Sequence, residues 1–113
     1  MGQLTTHVLD LAQGRPAADV EIDIYEQSGD SVKFLRNGST NKDGRLDEPL
    51  LETLNTGTYE LHFHIGEYFR RQNVPRVSFL DIVVVRFVIN DVRENYHVPL
   101  LVSPGGYQVY RGS

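Results

Sequence analysis

Apolar and polar residues alternate one for one along much of this chain, a rhythm that restricts it to half-buried β-strands more sharply than any other feature. In Asp19-Val20-Glu21-Ile22-Asp23-Ile24 the branched residues take one face and the acids take the other. Thr58-Tyr59-Glu60-Leu61-His62-Phe63-His64-Ile65 repeats the pattern, and Leu4 to Asp10, Lys33 to Arg36 and Gly106 to Val109 are shorter strand candidates. Turn signals separate them at Gly14-Arg15-Pro16, Ser28-Gly29-Asp30, Asn37-Gly38, Asp43-Gly44 and Thr56-Gly57. Short strands with regular turns predict an all-β, antiparallel sandwich. Gly66 to Asn73 has no alternation and ends before Pro75, which predicts a short helix covering a sheet edge between two strands.

The last third differs in kind. In Ile82-Val83-Val84-Val85-Arg86-Phe87-Val88-Ile89, one face carries Val83, Val85, Phe87 and Ile89, and the other Ile82, Val84 and Val88 with Arg86. Tyr96, Val98, Leu100 and Val102 likewise oppose His97, Pro99 and Leu101. A strand apolar on both faces is usually covered on both. A small sandwich has one interior, so the second face is expected to meet another subunit. Pro99 has no N–H to give a ladder, which predicts an edge or bulged position.

At 113 residues the chain is expected to form one domain, 1–113, with a core large enough to need no staples. It has no cysteine, so disulfides and thiolate metal sites are impossible. A formal net charge of -4 with scattered basic residues argues against a nucleic-acid partner. No charged segment followed by an apolar stretch precedes Leu4, and the apolar run from Ile82 to Ile89 is too short to span a bilayer. The expectation is a soluble cytoplasmic protein with no membrane partner.

Candidate chemistry starts at Tyr110-Arg111-Gly112-Ser113, which directly follows a strand candidate. A ring, a guanidinium and a hydroxyl presented by a strand can be held in a fixed place, whereas loose terminal residues cannot. His7 falls in phase with Thr5 and Leu9, opposite Leu4, Thr6 and Val8, while His97 shares its face with Pro99 and Leu101. Two imidazoles flanked by apolar neighbours can supply a base and an acid, or can simply hydrogen-bond within an interface. Arg45 leaves the turn Asn41-Lys42-Asp43-Gly44, where its fork becomes useful if a planar, carbonyl-rich or anionic ligand must be held. His62 and His64 project together from one strand and could chelate a metal, but two solvated histidines explain them as well; no carboxylate or cysteine nearby suggests a third ligand, and no metal is expected.

Together, Leu4-Thr5-Thr6-His7-Val8-Leu9-Asp10, Gly14-Arg15-Pro16-Ala17, Asp43-Gly44-Arg45, Tyr96-His97-Val98-Pro99-Leu100-Leu101, Ser103-Pro104 and Tyr110-Arg111-Gly112-Ser113 resemble the 5-hydroxyisourate hydrolases, the transthyretin-related proteins. The likeness runs in order over nearly the whole chain. Its last four residues are the most specific piece, because they separate the hydrolases from transthyretin proper. The resemblance implies a transthyretin-like sandwich of seven to eight strands with one short helix, assembled as a homotetramer with sites at the dimer–dimer interface. It implies a small purine-derived substrate, 5-hydroxyisourate, hydrolysed in urate catabolism to 2-oxo-4-hydroxy-4-carboxy-5-ureidoimidazoline without metal or organic cofactor.

By position, the family's catalytic residues fall on His7, Arg45, His97 and Ser113, with substrate contacts from His7, Arg45 and Tyr110. In the expected mechanism the imidazoles share the base and acid roles with help from Ser113, Arg45 holds carbonyl or developing negative oxygen, and Arg111 fixes the tail by pairing with a carboxylate. Val77 to Asp81, Gly105-Gly106 and Gln108-Val109 depart from the family pattern without removing any of these groups. The competing function is a transthyretin-like carrier that binds a hydrophobic ligand in the channel without turnover.

Overall fold

Leu4, Thr6, Val8 and Asp10 are buried along β1 (Leu4–Asp10), while Thr5, His7 and Leu9 stay partly exposed. That is the alternation converted into an inside and an outside. The computed structural model describes residues 2–74 and 77–112. After β1 come β2 (Arg15–Pro16), β3 (Glu21–Ser28), β4 (Ser31–Ser39), β5 (Gly57–His64), α1 (Ile65–Arg71), β6 (Ile82–Ile89), β7 (Tyr96–Ser103) and β8 (Gly106–Val109). The strand expected from Asp19 begins at Glu21, because Asp19 lies in the left-handed region at φ 62°.

Two four-stranded sheets result, ordered β2-β1-β7-β8 and β4-β3-β5-β6. Their facing surfaces form one core, with Leu4, Val8, Leu100 and Val102 from the first sheet against Ile22, Ile24, Leu61 and Phe63 from the second. The sheets are largely antiparallel, as expected, but β1 and β7 at the centre of the first run parallel. A parallel pair needs a long crossover instead of a tight turn. Here the whole second sheet lies between the two strands in the sequence.

Helix α1 does more than cover an edge. It is continuous with β5 in the second sheet, and its buried Tyr68 donates a hydrogen bond of 2.7 Å to Asp10 at the end of β1 in the first. Asp10 also accepts from the Gln13 amide at 3.0 Å and from Gln13 Nε2 at 2.8 Å, so this buried carboxylate is fully engaged.

The late strands keep their apolar second faces but correct the placement of Pro99. Ile82, Val84 and Val88 are indeed exposed on β6, but they face outward from the second sheet, whereas His97, Pro99 and Leu101 face outward from the first. The two apolar second faces therefore look in opposite directions. On β6 that face is also diluted by charge, since Ile82, Val84 and Arg86 pair across the ladder with His64, His62 and Glu60. Pro99, in turn, is not on an edge strand, because β7 lies between β1 and β8. The ladder to β8 ends at Leu100↔Val109 and resumes only at the isolated bridge His97↔Gly112. Proline stands in that gap, where a missing N–H costs no ladder bond.

Candidate active site

The parallel register sets Thr5 beside His97 and His7 beside Pro99. Both histidines thus share the outer face of the first sheet, on a diagonal of roughly 8 Å by strand geometry. Nothing in the rhythm of either strand specifies this meeting, which joins segments about ninety residues apart.

The Asn41–Arg45 turn brings the third group. Asn41 organises it: its side-chain oxygen accepts from the amides of Asp43 at 2.9 Å and Arg45 at 3.2 Å, and its own amide donates to the Arg45 carbonyl at 2.7 Å. The turn docks on β1 through a 2.8 Å bond from the Val8 amide to the Gly44 carbonyl. Gly44 has φ 76°, and a Cβ there would lie 2.4 Å from the Val8 carbonyl oxygen and 3.2 Å from His7 Cδ2. Only a residue without a side chain lets the turn sit this close.

Because a carbonyl can only accept, the 2.9 Å contact between His7 Nε2 and the Asp43 oxygen is a bond donated by the ring. Neutral His7 therefore carries its proton on Nε2 and keeps a lone pair on Nδ1. His97 is held differently, with its Nδ1 lying 2.9 Å from the Thr5 hydroxyl. Burial, and after it the Arg45 charge, lowers the pKa of both imidazoles below the usual 6.5, and His7 depresses His97 further. At neutral pH the site holds two uncharged imidazoles beside a cation.

A pocket of about 260 Å³ opens here, lined by Gln3, Thr5, Arg45, Asn95 and His97. The tail seats itself at its rim. The Gly112 amide donates to the His97 carbonyl at 2.7 Å. Arg111 bonds to Glu94 at 2.8 Å and to the Asn95 carbonyl at 3.2 Å, with its guanidinium 4.3 Å above the Tyr96 ring. It clamps the tail, as expected for a residue paired with a carboxylate.

Of the residues expected at the site, His7, Arg45 and His97 come together on one sheet face, Arg45 and His97 lining the pocket and His7 standing beside it. Tyr110 is 54% exposed and borders a second cleft of about 350 Å³ with Val85, Phe87 and Val98, and it does not line the Arg45–His97 pocket. Ser113 lies outside the described residues. Asn41 and Thr5 also belong to the site; an asparagine two residues before an Asp-Gly pair is the sequence signal for the first, and nothing local signals the second.

His62 and His64 sit on the opposite outer face, where carboxylates do stand nearby. His62 Nε2 pairs with Glu60 and His64 Nε2 with Asp23, each at 2.9 Å. Each imidazole has its own acid, and among the described residues no three such groups converge as metal ligands.

Three comparisons bear on this site. A family model described as the HIUase/Transthyretin family matches residues 4–112. 5-Hydroxyisourate hydrolase 2 of Rhizobium meliloti is 54% identical over 116 residues, covering 99% of this chain and 97% of that protein. The solved 5-hydroxyisourate hydrolase of Klebsiella pneumoniae superposes with a TM-score of 0.85 at 33% identity, over 100% of both chains. Transthyretin of Sparus aurata superposes with a TM-score of 0.89 over 99% of this chain and 97% of its own, at 23% identity, and shares the fold alone.

Proposed function

The chain belongs to the HIUase/transthyretin family, and on that premise we propose that it is a hydrolase that opens the ring of 5-hydroxyisourate in purine catabolism. The observation that carries this function is the convergence of two neutral imidazoles and a guanidinium on one pocketed sheet face.

Ring opening adds water to a cyclic carbonyl and breaks the adjoining C–N bond. Water is a poor nucleophile, so one imidazole removes its proton as the C–O bond forms, and the imidazolium so formed returns that proton, directly or by way of the other imidazole, to the departing nitrogen as the C–N bond breaks. His7 meets the first requirement through a free Nδ1 lone pair, and His97 faces the pocket with the Nε2 edge not occupied by Thr5. Arg45 directs its donors at the ring carbonyls and offsets the charge that grows on the tetrahedral oxygen. The family resemblance adds a substrate contact from Tyr110, which borders the neighbouring cleft, and a proton-relay role for the Ser113 hydroxyl. The scheme draws only on side chains and water.

In this proposal residues 1–113 act as one domain in the cytoplasm. Four copies assemble with the outer faces of the β1/β7 sheets closing on one another around the sites. The half-buried Leu9 and Leu101 and the exposed Leu11 beside the site support such a cover. Sedimentation of the purified protein tests the assembly.

The enzymatic test is the decay of freshly made 5-hydroxyisourate followed by absorbance. His7→Ala and His97→Ala are each expected to lose about 10²–10⁴-fold in kcat, the usual worth of general acid–base help. Wild-type rates in both variants would overturn the assignment. A carrier would instead bind a channel ligand and turn nothing over.

A further inference from the structure

We infer that Thr5 is a positioning residue for this site: its hydroxyl orients the His97 ring and partners either of its tautomers without moving a heavy atom. Its catalytic meaning rests on the hydrolase function proposed above; its geometry does not.

The two histidines are held by partners of different kinds. A backbone carbonyl, which only accepts, commits His7 to one tautomer. A hydroxyl both donates and accepts, so Thr5 can serve either form of His97. When Thr5 donates to Nδ1, the hydrogen of the neutral ring is on Nε2, and His97 presents a donor to the pocket. When Thr5 accepts from Nδ1–H, Nε2 carries the lone pair and His97 presents a base. The doubly protonated ring is served by the second arrangement as well. When the ring proton is redistributed between Nδ1 and Nε2 through solvent or the reacting groups, rotation of one O–H bond keeps Thr5 paired with Nδ1, so neither tautomer nor the protonated ring is left without its partner.

The surroundings dedicate Thr5 to this task. It is the register partner of His97 across the parallel pair, and both residues line the pocket. Its branched side chain has few rotamers to choose from. Among the described residues its hydroxyl makes no other hydrogen bond, whereas the neighbouring Thr6 turns inward and donates to the Val98 carbonyl at 2.6 Å. Gly112 closes on the opposite edge of the ring, since a Cβ there would come within 2.7 Å of His97 Cδ2. With Nδ1 held by Thr5 and Cδ2 covered by the tail, Nε2 is the nitrogen left for chemistry.

The test compares Thr5→Val, which keeps shape and β-branching but removes the hydroxyl, with Thr5→Ser, which keeps the hydroxyl. Two readouts are taken: the ¹⁵N shifts of the His97 ring against pH without substrate, and the pH profile of kcat with 5-hydroxyisourate. Thr5→Val is expected to lower kcat roughly tenfold, the worth of one hydrogen bond made in the transition state. KM should stay within about twofold, and the acidic limb should move to lower pH, because the charged ring loses an acceptor. Thr5→Ser should restore both the rate and the limb. Unaltered ring shifts and an unaltered pH profile in Thr5→Val would overturn the inference, as would a loss of rate that Thr5→Ser fails to restore. If the wild-type protein itself does not consume 5-hydroxyisourate, the hydrolase function fails. The ring shifts then decide the positioning role alone: changed shifts uphold it and unchanged shifts reject it.

Discussion

The Gly112 amide donates to the His97 carbonyl across 2.7 Å, so the tail is anchored on the backbone of the residue whose imidazole lines the pocket. The contact falls just past the gap that Pro99 leaves in the β7–β8 ladder. Tail and imidazole are thereby one mechanical unit.

Gly112→Ala tests that unit. The new Cβ would lie 2.7 Å from His97 Cδ2, so either the ring or the tail must shift. A misplacement of about 1 Å at a reacting group can cost roughly 10²-fold in rate. The expected outcome is a kcat reduced by about that factor in the absorbance assay, with a melting temperature within a few degrees of wild type, because Gly112 supports none of the core.

Gly44→Ala should damage stability as well as rate. It forces a side chain into φ 76° and places a Cβ 2.4 Å from the Val8 carbonyl oxygen. Left-handed strain and a backbone clash together should cost at least about 2 kcal/mol in urea denaturation. Gly105→Ala is the control: a Cβ there meets nothing within 4 Å, and a change under about 0.5 kcal/mol is expected.

The pH dependence follows from the two depressed imidazoles. Both bases are neutral down to a pKa below 6.5, so the acidic limb of kcat/KM should lie below 6.5 as well. Stability follows the same sign. As pH falls below 6.5 the unfolded chain takes up these protons before the folded chain does, so stability is lost progressively toward the folded pKa values. Asp23 and Glu60 are also depressed but act in a lower window, beginning near 3.8 and 4.5. Arg45→Gln removes the neighbouring positive charge that, after burial, lowers both imidazoles, so its residual activity should show the acidic limb moved upward.

Asp10 should matter to folding rather than to chemistry. It is 1% exposed and accepts the Tyr68 hydroxyl and two Gln13 donors. Asp10→Ala strands a buried hydroxyl and should destabilise by about 3 kcal/mol, while Tyr68→Phe removes one donor and should cost about 1–2 kcal/mol. Chemical denaturation measures both. The kcat per folded molecule should stay near wild type, since Asp10 pairs with Val102 at the far end of the ladder from His97.

Much of this protein is legible in its residues. The phase of His7 against Leu4 and Val8, and of His97 against Val98 and Leu100, puts each imidazole outside the core, and the burial pattern agrees. The Asp43-Gly44 pair marks the turn that delivers Arg45. The parallel pairing of β1 with β7 was not legible, because no hairpin links the two strands and alternation is blind to strand direction. For the same reason the alternation left open that the apolar second faces of β6 and β7 belong to different sheets and look in opposite directions.

The sequence alone determined where the main strands run and which side of each points inward, but not the two-residue β2 at Arg15–Pro16, which reads as a turn, nor the full length of β4 at Ser31–Ser39. Those are local properties, since successive side chains on an extended backbone must point to opposite faces. Tertiary structure decided which outward residues become neighbours: Thr5 beside His97, Asp43 against His7, and Gly112 on the His97 backbone. Each of those contacts joins distant segments, and it is burial of the shared core that selects the strand order and register bringing them together.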